Sequence, residues 1–355
     1  MLFGFYSNSP KRVWELEEIA DAMKVKLRKF GSVHQCRWVA SQLRALDAVH
    51  HNYQATCKHF QAIIDENSKD ACKVSGLLLR LRSAKFVTFF LFMRDFIQVI
   101  TRLSEFFQDE DLLVIDVIPQ VELCMLKLVE MKSNPGISIA YLSKGKVYNN
   151  VDLSGEVEPE LTQLHCDLTT AAVDFMDARF KTLQQPPISD FYVLNPMLWP
   201  YDRMQLVTYG VDKIQRLVNH FAPVLTEDEL QAAPQEWLSF KLHVCHQRTA
   251  DLKTVYRDLL IQPPVAMKNF LPLVEIMLTL SMSTARVERG FSHMNVIKGS
   301  DRSQLRNDSL NNCMELKING PSLEEFTADA AIVHWLKNSN SGGSKHLDGH
   351  KTPNS

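Results

Sequence analysis

The chain has 355 residues, enough to bury a large core and to form two or more domains. Hydrophobic residues make up 45% and charged residues 23%, which is ordinary for a folded soluble protein. The formal net charge of −2 gives no support for nucleic-acid binding by the chain as a whole, although the chain could still carry a local basic patch.

Helical periodicity organises the first part of the chain. Ser9 and Pro10 predict a helix start, because serine caps free backbone donors and proline suits the first helical position. Apolar residues at heptad-like spacing from Arg37 to about Asp65 predict a long helix that packs lengthwise against its neighbours. Further helices are predicted at 71–82, 85–108 and 112–132, ahead of the breaker Asn134-Pro135-Gly136.

The helical period fades between Ile137 and Pro159, where we predict a loop with a short hairpin. It returns from Leu161 to Leu183, and Asn195 to Pro200 reads as an extended linker. Helices are then predicted at 202–222, 227–232, 235–246 and 252–260.

An apolar run, Phe270 to Met282, opens the last region, and a helix is predicted at 306–317. Ser322 and Glu325 form a capping-box pattern for a last helix that ends near Trp335. No convincing series of alternating strands appears, so we predict a mainly α fold. The predicted regions are 1–136, a loop or linker at 137–160, 161–264, 265–337 and a disordered tail at 338–355.

A charged block follows the last apolar run. Glu288 lies between Arg286 and Arg289, ahead of the basic run Lys298 to Arg306. A carboxylate buried without a partner costs several kcal/mol or shifts its pKa. Glu288 is therefore predicted to be paired, exposed or bound to a cation, and it is the best candidate for a catalytic or formerly catalytic acid.

This block resembles the C-terminal signature of hAT (hobo/Activator) transposases. Residues 283–292 read Ser-Thr-Ala-Arg-Val-Glu-Arg-Gly-Phe-Ser, between an apolar run and a basic stretch. The pair Arg37-Trp38 before a long helix and the segment Phe191 to Pro200 are two further marks. The chain is similar to vertebrate transposase-derived zinc finger proteins over nearly its whole length, except the tail after Asn340.

The resemblance implies an RNase H-like core interrupted by a large helical insertion, in which two aspartates and a glutamate hold divalent metal for DNA strand cleavage. Glu288 matches that glutamate. Two-metal chemistry needs several converging carboxylates, and no acidic residue ahead of Arg37 lies in an apolar strand. We therefore expect a catalytically inactive remnant: a helical insertion domain plus the hAT C-terminal dimerisation module, with Glu288 as a relic and without a cofactor.

The resemblance also assigns roles outside the acid. Trp38 would stack on a flipped DNA base, or alternatively packs under the first turn of its helix. Four cations could contact phosphates or simply be solvated: Arg37, Lys298, Arg302 and Arg306. Zinc is not expected, because structural zinc needs four ligands that converge from separate turns. The His/Cys groups lie instead on single helices: His50, His51, Cys57 and His59, and His243, Cys245 and His246.

The apolar run predicts a helix that is buried on several sides. In the family this region belongs to a module named for dimerisation, and an exposed apolar patch there implies a partner. The alternative is that helices of the same chain cover it. The dimerisation candidates are Leu271, Leu273, Val274, Ile276, Met277, Leu278 and Leu280.

Three functions follow from these observations. The first is a domesticated or truncated hAT transposase-like protein that dimerises with itself or with a related hAT-like protein. The second is a fragment of an active DNA transposase, and the third is a non-catalytic DNA-binding module. We expect no membrane span, since the densest apolar stretch is far shorter than about 18–20 residues. The scattered cysteines favour an intracellular location, and the resemblance implies the nucleus.

Overall fold

A computed structural model describes residues 2–31, 38–134, 142, 146–156, 159–247, 251–322 and 324–338. Within these ranges the chain forms fifteen α-helices, several short 3₁₀ helices and one two-stranded hairpin, so the prediction of a mainly α fold is confirmed. The chain divides into two compact units, Met1–Thr284 and Ala285–Ser355, here called the N-terminal unit and the C-terminal unit. The predicted C-terminal module, 265–337, spans this division.

The first part of the N-terminal unit is built from long helices. They are α1 Leu2–Ser7, α2 Pro10–Ala22, α3 Trp38–Asp65, α4 Ala71–Leu81, α5 Ala84–Phe106, α6 Val114–Ser133 and α7 Pro159–Phe180. Ser9 Oγ accepts a hydrogen bond from Arg12 N at 3.4 Å, which confirms the predicted start of α2. Helix α3 lies against α2, α4 and α5, and Tyr53 and Phe60 on its apolar stripe are fully buried. This confirms the predicted lengthwise packing.

A short antiparallel hairpin follows α6. Its strands are β1 Val147–Tyr148 and β2 Val151–Asp152, and the turn residues Asn149 and Asn150 both have positive φ, which asparagine tolerates well. The Tyr148 ring packs against Tyr53 of α3, so the hairpin closes one core of this unit. The predicted hairpin is therefore present, whereas residues 135–141, 143–145 and 157–158, which include Pro135-Gly136 of the predicted breaker, lie outside the described residues.

The second part of the N-terminal unit has shorter helices: α8 Arg203–Thr208, α9 Val211–His220, α10 Glu227–Val244, α11 Leu252–Ile261 and α12 Leu271–Thr279. The prediction of a single helix at 202–222 was wrong. Two helices, α8 and α9, are present, and Gly210, with φ 73°, separates them. The two helices predicted at 227–232 and 235–246 were also wrong. They form one helix through Pro234, and its apolar face stays buried beyond the proline.

The segment predicted as an extended linker, Asn195 to Pro200, is a further correction. It contains the 3₁₀ helix Pro196–Leu198, and a second 3₁₀ helix, Ile188–Leu194, precedes it, with Phe191 to Leu194 all buried. Trp199 Nε1 donates to the carbonyl of Val193 at 2.7 Å, and the Tyr256 hydroxyl of α11 donates to the carbonyl of Leu194. These bonds satisfy backbone groups that no regular helix or strand would satisfy.

Asn195 joins this segment to α6. Pro119 lies inside α6 and has no N–H for the carbonyl of Ile115, four residues earlier. Asn195 Nδ2 donates to that carbonyl at 3.3 Å, and Asn195 Oδ1 accepts from Met197 N at 3.0 Å. One side chain therefore compensates for the proline and caps the next short helix.

The C-terminal unit contains α13 Ala285–Ile297, α14 Asn307–Asn319 and α15 Asp329–Asn338. Helices α13 and α14 pack on each other. Ser322 and Glu325 exchange the bonds of a capping box at 3.3 Å, but they close a turn, and the last helix starts only at Asp329. The predicted start of that helix is corrected accordingly. The predicted tail beyond Asn338 lies outside the described residues.

Candidate association surface

Glu288 lies in the first turn of α13 and is exposed. The positive end of the helix dipole favours a carboxylate at this position. The flanking Arg286 and Arg289 are exposed as well. Among the described residues, no group of three or more His, Cys, Asp or Glu side chains is arranged to hold a metal ion.

The predicted nucleic-acid residues fall into two groups. Trp38 begins α3, but its side chain and all of Arg37 lie outside the described residues. Lys298, Arg302 and Arg306 are exposed and lie in the connection between α13 and α14. Three of the four candidate cations therefore lie in one connection, which also contains the acidic residue Asp301.

The seven predicted dimerisation residues lie in the largest core of the N-terminal unit. Leu271, Leu273, Val274 and Met277 are buried, and the other three are half-buried against the same core. Their neighbours there include Trp237 and Phe240 of α10. Helices of the same chain therefore cover this run, which is the alternative arrangement given above, and any dimer interface needs other surfaces.

The C-terminal unit has almost no core of its own. Ala285 is the one buried residue among those described in this unit, and Met294 of α13 and Met314 of α14 are only half-buried. Ten large apolar side chains are 48% to 79% exposed there: Val287, Phe291, Val296, Leu316, Ile318, Phe326, Ile332, Val333, Trp335 and Leu336. Apolar exposure of this density marks an interaction surface.

Helix α15 concentrates this exposure on one face. Ile332, Val333, Trp335 and Leu336 fall within one broad arc of the helix at 100° per residue, and His334 and Lys337 lie opposite. The helix has ten residues. An isolated helix shorter than about 12–15 residues is marginal in water, so α15 depends on packing of its apolar face. Sequence reasoning missed this stripe, although its spacing was readable.

Two buried charges in the N-terminal unit, Asp190 and Lys241, have specific partners. Asp190, nearly inaccessible, accepts two bonds from Arg216, with Nε–Oδ2 3.0 Å and Nη2–Oδ1 2.6 Å. Lys241 is fully buried, and its Nζ donates to the carbonyls of Leu206, Val207 and Tyr209 at the end of α8. Burial lowers the pKa of Lys241 to about 8. Both buried charges therefore have hydrogen-bond partners inside this unit.

A buried chain of hydrogen bonds links α1, α2 and α3. The Tyr6 hydroxyl lies 3.0 Å from His59 Nδ1, and His59 Nε2 lies 3.2 Å from Glu15 Oε2. Burial lowers the pKa of His59. The Tyr6 ring stacks on Phe30, and both Tyr6 and His59 are nearly inaccessible, so this arrangement orients helices and offers no open site.

A cavity of about 630 Å³ opens where α6, the 3₁₀ segment and the start of α11 meet. Four aspartates line it against one lysine and one arginine: Asp109, Asp111, Asp116, Asp251, Lys253 and Arg257. Lys253 is paired with Asp111. Asp251 caps α11 by accepting from Lys253 N at 3.3 Å, and it also accepts from Thr254 Oγ1 at 2.6 Å. Burial, and then the charge of Asp251, raise the pKa of Asp116 to about 6.

The chain gives no match to protein-family models and no match to solved structures. Within the described part of the chain, no helix combines the length and the apolar content that crossing a bilayer requires.

Proposed function

We propose that this chain is a catalytically inactive, hAT transposase-like nuclear protein that acts by self-association through its C-terminal unit. One observation carries the proposal. Among the described residues of that unit a single residue is buried, whereas ten large apolar side chains are about half or more exposed. The resemblance of residues 283–292 to the hAT signature supports the same region as the contact.

The energetics favour burial of this surface. Removing apolar area from water contributes about 25 cal/mol per Å². Side chains such as Phe291 and Trp335 have most of their area exposed, so pairing two copies would bury a large apolar area. Helix α15 would gain most, because its length alone does not stabilise it.

The proposed lack of strand cleavage rests on the carboxylates. Glu288 matches one of the three acids of the family, and it is exposed at the start of α13. One carboxylate does not hold the pair of metal ions that in-line phosphoryl transfer uses. The described residues contain no sheet larger than the hairpin β1–β2. We therefore assign Glu288 no catalytic role.

Size-exclusion chromatography with light scattering tests the proposal. At micromolar concentration the protein should elute with twice the mass of one chain. The variant Ile332→Ser/Trp335→Ser should elute as a monomer, and any loss of helix content should be limited to the ten residues of α15, because both side chains are exposed. A matched control is Leu79→Ser/Phe175→Ser, which removes similarly exposed apolar groups from the N-terminal unit and should stay dimeric. A monodisperse monomer of the unaltered protein would contradict the proposal.

A further inference from the structure

The N-terminal unit carries its own exposed apolar surface, separate from the C-terminal unit. It comprises Met197, Leu198, Tyr201, Met204 and Val207 and is called here the Met–Tyr ridge. Tyr201 is 89% exposed, Met204 77% and Met197 63%. These residues follow one another through a 3₁₀ turn and α8, where Met204 and Val207 are three residues apart on one helix face.

This ridge borders the aspartate-lined cavity. Met197 and Leu198 are exposed members of the ridge and also line the cavity, so the two features are continuous. The Asp116 carboxylate in the cavity wall has no hydrogen bond to the described residues, and Asp109, which lines the same cavity, is exposed. The cavity wall therefore carries excess negative charge at the end of an apolar strip.

We propose that the Met–Tyr ridge and the adjoining cavity bind a peptide segment of a partner protein that carries apolar side chains next to lysine or arginine. Charge complementarity selects this occupant. The apolar side chains would cover the ridge, and the cation would enter the cavity towards Asp116 and Asp109. An acidic or neutral peptide would leave the aspartates without a counter-charge.

The side-chain chemistry of the ridge suits such a segment. Methionine is unbranched and polarisable, so it adapts to apolar partners of different shape. Tyrosine supplies a large rigid contact with little loss of rotamer freedom. A bound cation would also offset the unfavourable burial of the Asp116 carboxylate in the cavity. It would stabilise the ionised form of Asp116, whose pKa is raised by burial and by the neighbouring Asp251.

The probe is a fluorescein-labelled helical peptide with one leucine face and one lysine face, titrated against the intact protein by fluorescence anisotropy. The same peptide with glutamate in place of lysine is the charge control. We expect saturable binding of the lysine peptide, at least about tenfold tighter than that of the glutamate peptide. Added salt should weaken binding of the lysine peptide.

Variants locate the binding. Met197→Ser/Met204→Ser should weaken it at least about tenfold, and Asp116→Asn about threefold or more. Matched controls, Leu79→Ser/Phe175→Ser for exposed apolar groups and Asp177→Asn for an exposed aspartate, should bind as the unaltered protein does. Circular dichroism checks that every variant is folded.

Four results would overturn the proposal: no binding of the lysine peptide, equal binding of both peptides, full binding by the Met197→Ser/Met204→Ser variant, or full binding by Asp116→Asn. A change in the protein's own mass on altering the ridge would also overturn it, since the occupant would then be a second copy. Self-association through the C-terminal unit is read from different variants, so either idea can fail alone.

Discussion

The two units solve the same problem of apolar burial in opposite ways. The N-terminal unit covers its apolar run 271–280 with its own helices. Trp199 and Tyr256 donate to carbonyls of its 3₁₀ segment, and Lys241 donates to carbonyls at the end of α8. The C-terminal unit also folds into helices, but Ala285 is the one buried residue among its described residues. Helical periodicity therefore predicts a face but leaves open whether that face is covered by the same chain or by another.

The segment that resembles the hAT signature, together with its apolar run, is divided between the two units. Its apolar run lies in the N-terminal core, whereas Glu288 and the helices after it belong to the exposed unit. Three substitutions in the N-terminal unit measure how much single buried groups contribute to its free energy of unfolding. Hydrogen exchange then tests whether a second copy covers the C-terminal unit.

Gly210 should give the largest effect on stability. Its φ of 73° is left-handed, and a Cβ there would lie 1.9 Å from Cγ2 of the buried Val193. Gly210→Ala should lower the free energy of unfolding by about 2–4 kcal/mol, from backbone strain and overpacking. Chemical denaturation measures it. Gly155→Ala is the matched control, because Gly155 has φ 82° with open space around the added Cβ. Equal losses in the two variants would show that Val193 moves aside freely.

Lys241 comes next. Lys241→Met keeps most of the side-chain volume but removes the donor to the carbonyls of Leu206, Val207 and Tyr209. Unpaired carbonyls cost about 1–3 kcal/mol each, offset by the loss of a buried charge, so we expect a net loss of about 2 kcal/mol. The control is Lys268→Met, on an exposed lysine, with an effect below about 0.5 kcal/mol. A stabilised Lys241→Met variant would refute the capping role.

Asp116 should give the smallest effect, and of opposite sign. Its folded-state pKa is raised to about 6, so the unfolded chain ionises first and stability falls as pH rises from about 4 through 6. Asp116→Asn removes this penalty and should stabilise the protein by about 1 kcal/mol at pH 7.5, since the carboxyl is partly exposed. At pH 4 the variant should differ little. Thermal unfolding at both pH values, with Asp177→Asn as control, measures it; a stabilisation that is equal at both pH values would argue against ionisation as the cause.

Local signals predicted much of this fold. The start of α2 at Ser9-Pro10 and the ends of α3 could be predicted, because a helix cap and an apolar stripe are formed by residues that lie close together in the sequence. The helix break at Gly210 and the continuous helix through Pro234 were missed. In both cases tertiary packing decides, through the close approach to Val193 and through the buried face that continues past the proline.

The errors at the sites have a related cause. Asn195 to Pro200 looked like a linker because the partner of the Asn195 side chain, the α6 carbonyl of Ile115, lies far away in the sequence. The run at 271–280 was weighed as a dimer contact because its spacing does not reveal what covers it. The spacing of residues in α15 predicts an apolar stripe. It does not predict that the stripe is exposed to solvent, because exposure depends on the rest of the fold.

Hydrogen–deuterium exchange of the intact protein at several concentrations tests the central claim most directly. If two copies cover the C-terminal unit, the amides of residues 329–338 exchange more slowly as concentration rises, because association suppresses local opening of a short helix. The amides of α3, buried within one chain, should exchange at a rate that does not depend on concentration. Exchange in α15 that stays fast and unchanged from nanomolar to micromolar protein would contradict self-association through this unit.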